Sequence, residues 1–117
     1  MLAELVAIAD PLARLRRLVT RALSEPLHGR LEVSFAAAVG DPLIARTFKK
    51  SIDERMAFLT TMFVELGMSR RAAQRRSMLA YAMFAGLYQL LAASPSMAIG
   101  SVEPFVDDIV ATLTAKA

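Results

Sequence analysis

Apolar residues recur at steps of three and four along most of the chain, which is the spacing of one face of an α-helix. The longest such stripe runs between residues 44 and 66, and Lys49, Lys50, Asp53 and Glu54 occupy the opposite side, where they are expected to face solvent. No run alternates between apolar and polar positions, and no Asn-Gly or Asp-Gly hairpin turn occurs. The pattern therefore predicts an all-α protein.

Proline, glycine and short polar residues mark where the predicted helices begin and end. They give a short lead-in helix followed by five main helices, at about residues 10–24, 26–40, 42–66, 70–93 and 101–114. In the first main helix, Arg14, Arg17 and Arg21 are predicted to form the solvent side. Because 117 residues leave no room for two independently packed cores, we expect residues 1–117 to form a single domain.

The predicted helix over residues 70–93 differs from the others, because after its arginine-rich start it is apolar on every side. A helix without a polar face is expected to be buried on both sides. Only one side can face its own domain, so the other is expected to meet a two-fold mate. Gly86 in this helix fits two explanations equally, close approach to such a mate or close packing within the monomer.

Composition strengthens the expectation of a partner. Hydrophobic residues make up 56% of the chain and charged residues 21%, which excludes a disordered chain, because disorder goes with low hydropathy and high net charge. A domain this small has too much surface to hide so much apolar material inside itself. Part of it should therefore be covered by a partner subunit, a ligand or lipid.

The residue inventory argues against metal, thiol and nucleotide chemistry. The chain has no cysteine and one histidine, His28, which follows Glu25 in an E-x-x-H pair. A di-iron bundle needs a second such pair, and no second histidine exists. The five glycines are isolated, so neither a P-loop nor a dinucleotide-binding fingerprint can be built. We expect no cofactor.

Two pairs of adjacent carboxylates, Asp53/Glu54 and Asp107/Asp108, are candidates for acid–base catalysis. Neighbouring residues on a helix point to different sides, so neither pair forms a facing couple. We therefore do not expect an enzyme.

One uncharged stretch, residues 77–102, calls for a membrane test. Its best apolar part, residues 78–93, is interrupted by a glycine and a glutamine and falls short of the roughly 20 residues that a crossing needs. The N-terminus carries Glu4 and Asp10 and no basic segment, unlike a signal peptide. The sequence thus predicts a cytoplasmic protein without a membrane span.

Four arginines, Arg70, Arg71, Arg75 and Arg76, lie in the first two turns of the fourth main helix. Cations there oppose the helix dipole, at roughly 0.3–1 kcal/mol for each one in the first turn, so a negative group should compensate. The candidates are Glu65, Asp107 or Asp108, in the same subunit or across a dimer, an anionic ligand, or nucleic acid, which the net charge of +3 would attract weakly.

Four segments carry a likeness to a known family: residues 10–15 (DPLARL), 40–42 (GDP), 65–69 (ELGMS) and 78–87 (MLAYAMFAGL). In this order they resemble the C-terminal regulatory domain of the TetR family of transcriptional regulators, over nearly the whole chain. No helix-turn-helix domain is predicted before them, and residues 1–9 supply at most the end of the helix that connects to it.

The resemblance implies an effector-binding and homodimerisation domain. In such domains the last two helices pair with their twins in a dimeric four-helix bundle, and the preceding helices wall a pocket for a small effector. DNA would be a partner only through a helix-turn-helix domain that this sequence does not contain. The alternative is a stand-alone helical module that heterodimerises with an intact regulator.

Candidate residues follow from that implication and from the apolar pattern. The dimer-interface candidates are Gly86, Leu87, Tyr88, Leu91, Phe105, Val106, Ile109 and Leu113. The pocket candidates are Phe35, Phe58, Met62, Met78, Tyr81 and Phe84, with His28 and Gln89 as polar contacts. Seven methionines favour a pocket that adapts to an apolar or amphipathic ligand, although the same residues at helical spacing also suit an ordinary core.

Overall fold

The computed structural model describes residues 2–24, 40–94, 96 and 100–116, and within them the chain forms helices and no strand. The helices are α1 (Leu2–Val6), α2 (Pro11–Ser24), α3 (Pro42–Glu65), α4 (Arg70–Ala93) and α5 (Val102–Thr114). The all-α prediction is confirmed. The predicted helix at about residues 26–40 lies, except for its last residue, outside the described residues.

Short polar side chains start the helices where the sequence predicted. A carboxylate oxygen of Asp10 accepts from a first-turn backbone N–H of α2 at 2.9 Å, and Asp41 does the same for α3 at 2.9 Å. Ser69 Oγ accepts from the third residue of α4 at 3.2 Å. Ser101 stands at the corresponding position before α5, but its side chain makes no capping hydrogen bond. Three of the four predicted caps thus satisfy N–H groups that the helix itself leaves unpaired.

A glycine ends α3 and returns the chain towards α4. Gly67 has φ +104°, a conformation that other residues rarely adopt. Its N–H donates to the carbonyl of Val64 at 2.9 Å, and the N–H of Met68 donates to the carbonyl of Phe63 at 3.1 Å. This is the Schellman arrangement of a helix C-terminus. It leaves only residues 66–69 between two 24-residue helices.

The core lies between two helix pairs, α3 with α4 and α2 with α5, and α2 also contacts α3. Its buried apolar members are Leu15, Val19, Leu59, Met62, Phe63, Ala73, Ala80, Val106, Ile109, Val110 and Leu113. Each described helix except α1 contributes to this cluster. A single continuous core is what the length of the chain predicts for these residues.

Small residues form the side of α4 that faces the core. Ala73, Ser77 and Ala80 are fully buried there. Ser77 Oγ donates to the carbonyl of Ala73 at 2.7 Å, so the hydroxyl of Thr60 on α3 is the donor in the 3.2 Å hydrogen bond between Thr60 and Ser77. The buried hydroxyls are therefore paired with each other, and they join α3 to α4.

One part of the predicted solvent side of α2 is wrong. The side chain of Arg14 is only 13% exposed, and Nε, Nη1 and Nη2 all make hydrogen bonds. It donates to the carbonyl of Ile8 at 2.9 Å from Nε and at 2.7 Å from Nη2, and to Glu65 at the end of α3 at 2.7 Å. Arg14 therefore links the turn after α1 to the C-terminal end of α3. Periodicity could not show this, because it depends on which helix lies next to α2.

Arg17 and Arg21, the other two arginines of the predicted solvent side of α2, bind a carboxylate of α1. Glu4 receives hydrogen bonds from Arg17, at 3.1 Å, and from Arg21. The hydrogen bond from Arg17 is the main reason why the pKa of Glu4 lies below its ordinary value. Leu5, next to Glu4, is fully buried. By contrast, the predicted solvent side of α3 is confirmed: Lys49 and Asp53 are exposed and form an ion pair at 2.6 Å.

Candidate dimer interface and ligand pocket

The side of α4 that faces away from the core is apolar and open to solvent. Met78 is 65% exposed, Leu79 63% and Leu90 52%, so three large apolar side chains are exposed on the same side of one helix, and a grouped apolar surface marks an interaction site. We call this surface the outer α4 face; it comprises Met78, Leu79, Ala82, Gly86, Gln89 and Leu90, all exposed. Within the described residues, α4 therefore buries one side against its own domain, as expected, and burial of the other side by a second copy stays a prediction.

Gly86 lies in the middle of the outer α4 face. A Cβ atom built there meets no atom within 4 Å among the described residues. Close packing of Gly86 against another described residue is thus not supported. A glycine inside a helix costs roughly 1 kcal/mol relative to alanine. The approach of a partner molecule at Gly86 stays a prediction.

The α5 residues predicted for the interface lie elsewhere. Val106, Ile109 and Leu113 are buried in the chain's own core, and Phe105 packs against the same cluster. Their stripe faces α2, which is the helix that α5 mainly contacts. The three buried residues are therefore not exposed to a partner in this conformation. The sequence shows that the stripe is apolar but not which neighbour covers it.

Three further interface candidates on α4 are half-buried: Leu87, Tyr88 and Leu91. The hydroxyl of Tyr88 donates to the backbone carbonyl of Ala22 in α2 at 3.2 Å. Its ring lies 6.5 Å, centre to centre, from that of Phe84. Tyr88 therefore belongs to a contact within the chain, between α4 and the end of α2.

The pocket candidates do not come together around one cavity in the described part of the chain. Met62 is a core residue, whereas Met78 and Gln89 are exposed on the outer α4 face. Tyr81 accepts a hydrogen bond from Arg55 at 3.2 Å, and the guanidinium lies 6.0 Å from the centre of its ring. Phe84 packs against the core. Phe35 and His28 lie outside the described residues.

Among the described candidates, Phe58 lines a cleft. The cleft has a volume of about 390 Å³ and lies where α1, α2 and α3 meet. Its walls are Val6, Arg14, Ala57, Phe58, Thr61 and Glu65. Five of these six were not predicted, because a cleft depends on the space between helices rather than on the pattern along one of them. Val6, Ala57 and Phe58 give this cleft apolar atoms, and Arg14, Thr61 and Glu65 give it polar ones.

Within the described chain, none of the predicted carboxylates, Glu65, Asp107 and Asp108, forms an ion pair with the arginine-rich start of α4. Glu65 pairs with Arg14, and Asp107 pairs with Arg16 of α2. Arg76 instead donates to the last backbone carbonyls of α5, at 2.7 Å to Leu113. These carbonyls form the negative end of a helix dipole, so they compensate one of the four arginines.

The remaining three, Arg70, Arg71 and Arg75, are exposed, and no ion pair joins them to an acidic residue within the described ranges. No acidic residue occurs in the first turn of α4, and no basic residue occurs in its last turn. The positive charges of α4 therefore lie at its N-terminus, which is already the positive end of the helix dipole.

Neither a metal-binding cluster nor a membrane-spanning helix occurs among the described residues. No group of three or more histidine, aspartate or glutamate residues is placed to hold a metal ion. None of the described helices combines the length and the apolar character that crossing a bilayer requires.

Comparison with known proteins also gives no match. No protein-family model matches the chain, no curated protein is significantly similar to it, and neither is any solved structure. The resemblance to the TetR family thus stays a prediction from the sequence.

Proposed function

We propose that this chain is the effector-binding and homodimerisation domain of a TetR-like transcriptional regulator, and that α4 is the helix through which two copies pair. The observation that carries the proposal is the outer α4 face, where three large apolar side chains are exposed on a helix with no charged residue after Arg76. Burying such a face is favourable by roughly 25 cal/mol for each Å² of apolar surface removed from water.

The effector part of the proposal rests on the cleft between α1, α2 and α3. A small amphipathic molecule would place its apolar part against Ala57 and Phe58 and its polar part at Arg14 and Glu65. Because Arg14 also holds the turn after α1, a ligand that competes for its hydrogen bonds would loosen α1 from α3. In a regulator, a shift of this kind would be transmitted to the DNA-binding domains.

Sedimentation velocity across a range of concentrations tests the dimer. We expect a species of about twice 12.7 kDa. Leu79→Glu places a charge in the outer α4 face and should give a monomer with unchanged helix content. Leu43→Glu is the matched control, because Leu43 is equally exposed, at 69%, but lies on α3; it should remain a dimer. A wild-type monomer at every concentration would overturn homodimerisation and favour the alternative of pairing with a different regulator.

Binding of the amphipathic dye 1-anilinonaphthalene-8-sulfonate to folded protein tests the cleft. Ala57→Leu fills the cleft from an exposed position on α3, and Ala111→Leu makes the same change at an exposed position on α5. We expect dye binding in the Leu79→Glu background to fall with Ala57→Leu and to persist with Ala111→Leu. Equal binding by both variants would remove the cleft as an effector site and leave the dimer untouched.

A further inference from the structure

We infer that two copies of this chain pair through α4 in antiparallel orientation, with the two-fold axis midway between Ala82 and Gly86. The inference rests on the proposed function only in that the chain self-associates through the outer α4 face. The orientation and the register follow from two separate observations, one on charge and one on side-chain size.

Charge decides the orientation. Arg71 and Arg75 are exposed at the positive end of their own helix, and no basic residue lies in the last turn of α4. A parallel pair would place the arginines of one copy beside those of the other. An antiparallel pair places Arg75 beside the partner's last turn and Arg71 just beyond that turn, where unpaired backbone carbonyls make the helix end negative. This arrangement compensates arginines that no carboxylate in the described residues neutralises.

Side-chain size decides the register. Along the outer α4 face, large residues lie at both ends and the small residues Ala82 and Gly86 lie in the middle. Arg75, Leu79, Ala82, Gly86, Gln89 and Ala93 follow one another at alternating steps of four and three. This is the spacing of a seam between two supercoiled helices.

An axis midway between Ala82 and Gly86 makes this seam self-complementary. Leu79 then lies level with Gln89 of the partner subunit, and Arg75 lies level with Ala93 of the partner subunit. Ala82 and Gly86 of both copies meet at the centre, where small side chains allow two helix axes to approach within about 8 Å. In this arrangement the partner's α4 occupies the space that is open around Gly86.

Disulfide trapping tests orientation and register directly, because the wild-type chain has no cysteine. Leu79→Cys mixed with Gln89→Cys should form a mixed disulfide dimer under mild oxidation. Each variant alone should stay uncrosslinked, because the two copies of one thiol would lie about 15 Å apart along the helix axis at 1.5 Å per residue. A parallel pair would instead crosslink each variant with itself, which would overturn the inference.

The same experiment separates failure of the inference from failure of the proposed function. If the wild-type protein sediments as a dimer and the mixture does not crosslink, the register is wrong and homodimerisation stands. If the wild-type protein sediments as a monomer, both are wrong. Trapping of Leu79→Cys with itself in a protein that is a dimer would keep α4 as the interface and reverse its orientation.

Charge reversal gives an independent readout. Arg71→Glu with Arg75→Glu should raise the dimer dissociation constant about tenfold, since four cations would be replaced by anions beside negative helix ends. The same pair should raise the melting temperature of monomer made with Leu79→Glu, because acidic residues suit a helix N-terminus. Arg46→Glu with Lys50→Glu, two exposed positions of α3, is the matched control. Equal weakening of the dimer by both pairs would overturn the role of the α4 arginines.

Discussion

The contact between α3 and α4 is stabilised by apolar packing, whereas the contact between α1 and α2 is stabilised largely by ion pairs. Phe63, the largest fully buried side chain, belongs to the core cluster to which α3 and α4 both contribute. α1 buries Leu5 and otherwise depends on Glu4, which is bound by Arg17 and Arg21 on the surface. Apolar burial responds little to salt or pH, but exposed ion pairs respond to both. The two regions should therefore fail under different conditions.

The largest effect is expected from removing the central side chain of the packed region. Phe63→Ala leaves a cavity between α3 and α4 and should lower the free energy of unfolding by about 3–5 kcal/mol. Met78→Ala, at an exposed position of α4, should lower it by less than about 0.5 kcal/mol when measured on monomer made with Leu79→Glu. Chemical denaturation at one fixed protein concentration measures both. Similar losses would mean that the two sides of α4 do not differ in packing.

Arg14 is expected to give an intermediate effect, because it lies between the two regions. Arg14→Ala leaves the carbonyl of Ile8 and the carboxylate of Glu65 without their main donor and should cost about 1.5–3 kcal/mol. Arg17→Ala removes a half-exposed partner of Glu4 and should cost at most about 1 kcal/mol. Thermal denaturation of both variants, with and without added salt, measures the difference. A larger loss for Arg17 would contradict the buried role of Arg14.

The smallest effect is a pH dependence confined to α1. Arg17 and Arg21 stabilise the charged form of Glu4, so its pKa is lower in the folded chain than the ordinary value of 4.5. That stabilisation is present above the ordinary pKa and is lost as the pH falls through the lowered one. We expect hydrogen exchange in α1 to accelerate over this interval before α3 and α4 respond.

Glu4→Gln is the control for that experiment. It cannot gain a proton, so α1 should exchange faster at neutral pH and show no further acceleration over the same interval. An unchanged pH profile in Glu4→Gln would assign the acid response to another group.

Most of the fold could be predicted from the sequence, because helix boundaries depend on neighbours along the chain. Asp41 and Ser69 cap α3 and α4 where their residue types indicate, and Gly67 adopts the conformation that a glycine at a helix end suggests. The sequence also shows that α4 has more apolar residues than one buried side can hold, and in the structure the remaining ones are exposed.

The candidate site was harder to predict, because it depends on which helices lie side by side. The stripe of Val106, Ile109 and Leu113 was correctly identified as apolar, yet it faces α2 within the chain. The pattern places Arg14 on the solvent side of α2, yet its guanidinium donates to the carbonyls of Ile8 and Ala9 and to the carboxylate of Glu65. Periodicity predicts which side of each helix is apolar, but the neighbour that covers that side depends on tertiary packing.

The pairing of α2 with α5 also bears on how the chain folds. The ion pair between Arg16 and Asp107 joins residues that are 91 positions apart, whereas α3 and α4 are neighbours joined by residues 66–69. Closing a long loop costs more entropy than closing a short one and delays the contacts that depend on it. We expect the α3–α4 hairpin to form early and to act as the nucleus on which α5 and α2 later close, so that the two ends of the described chain meet last.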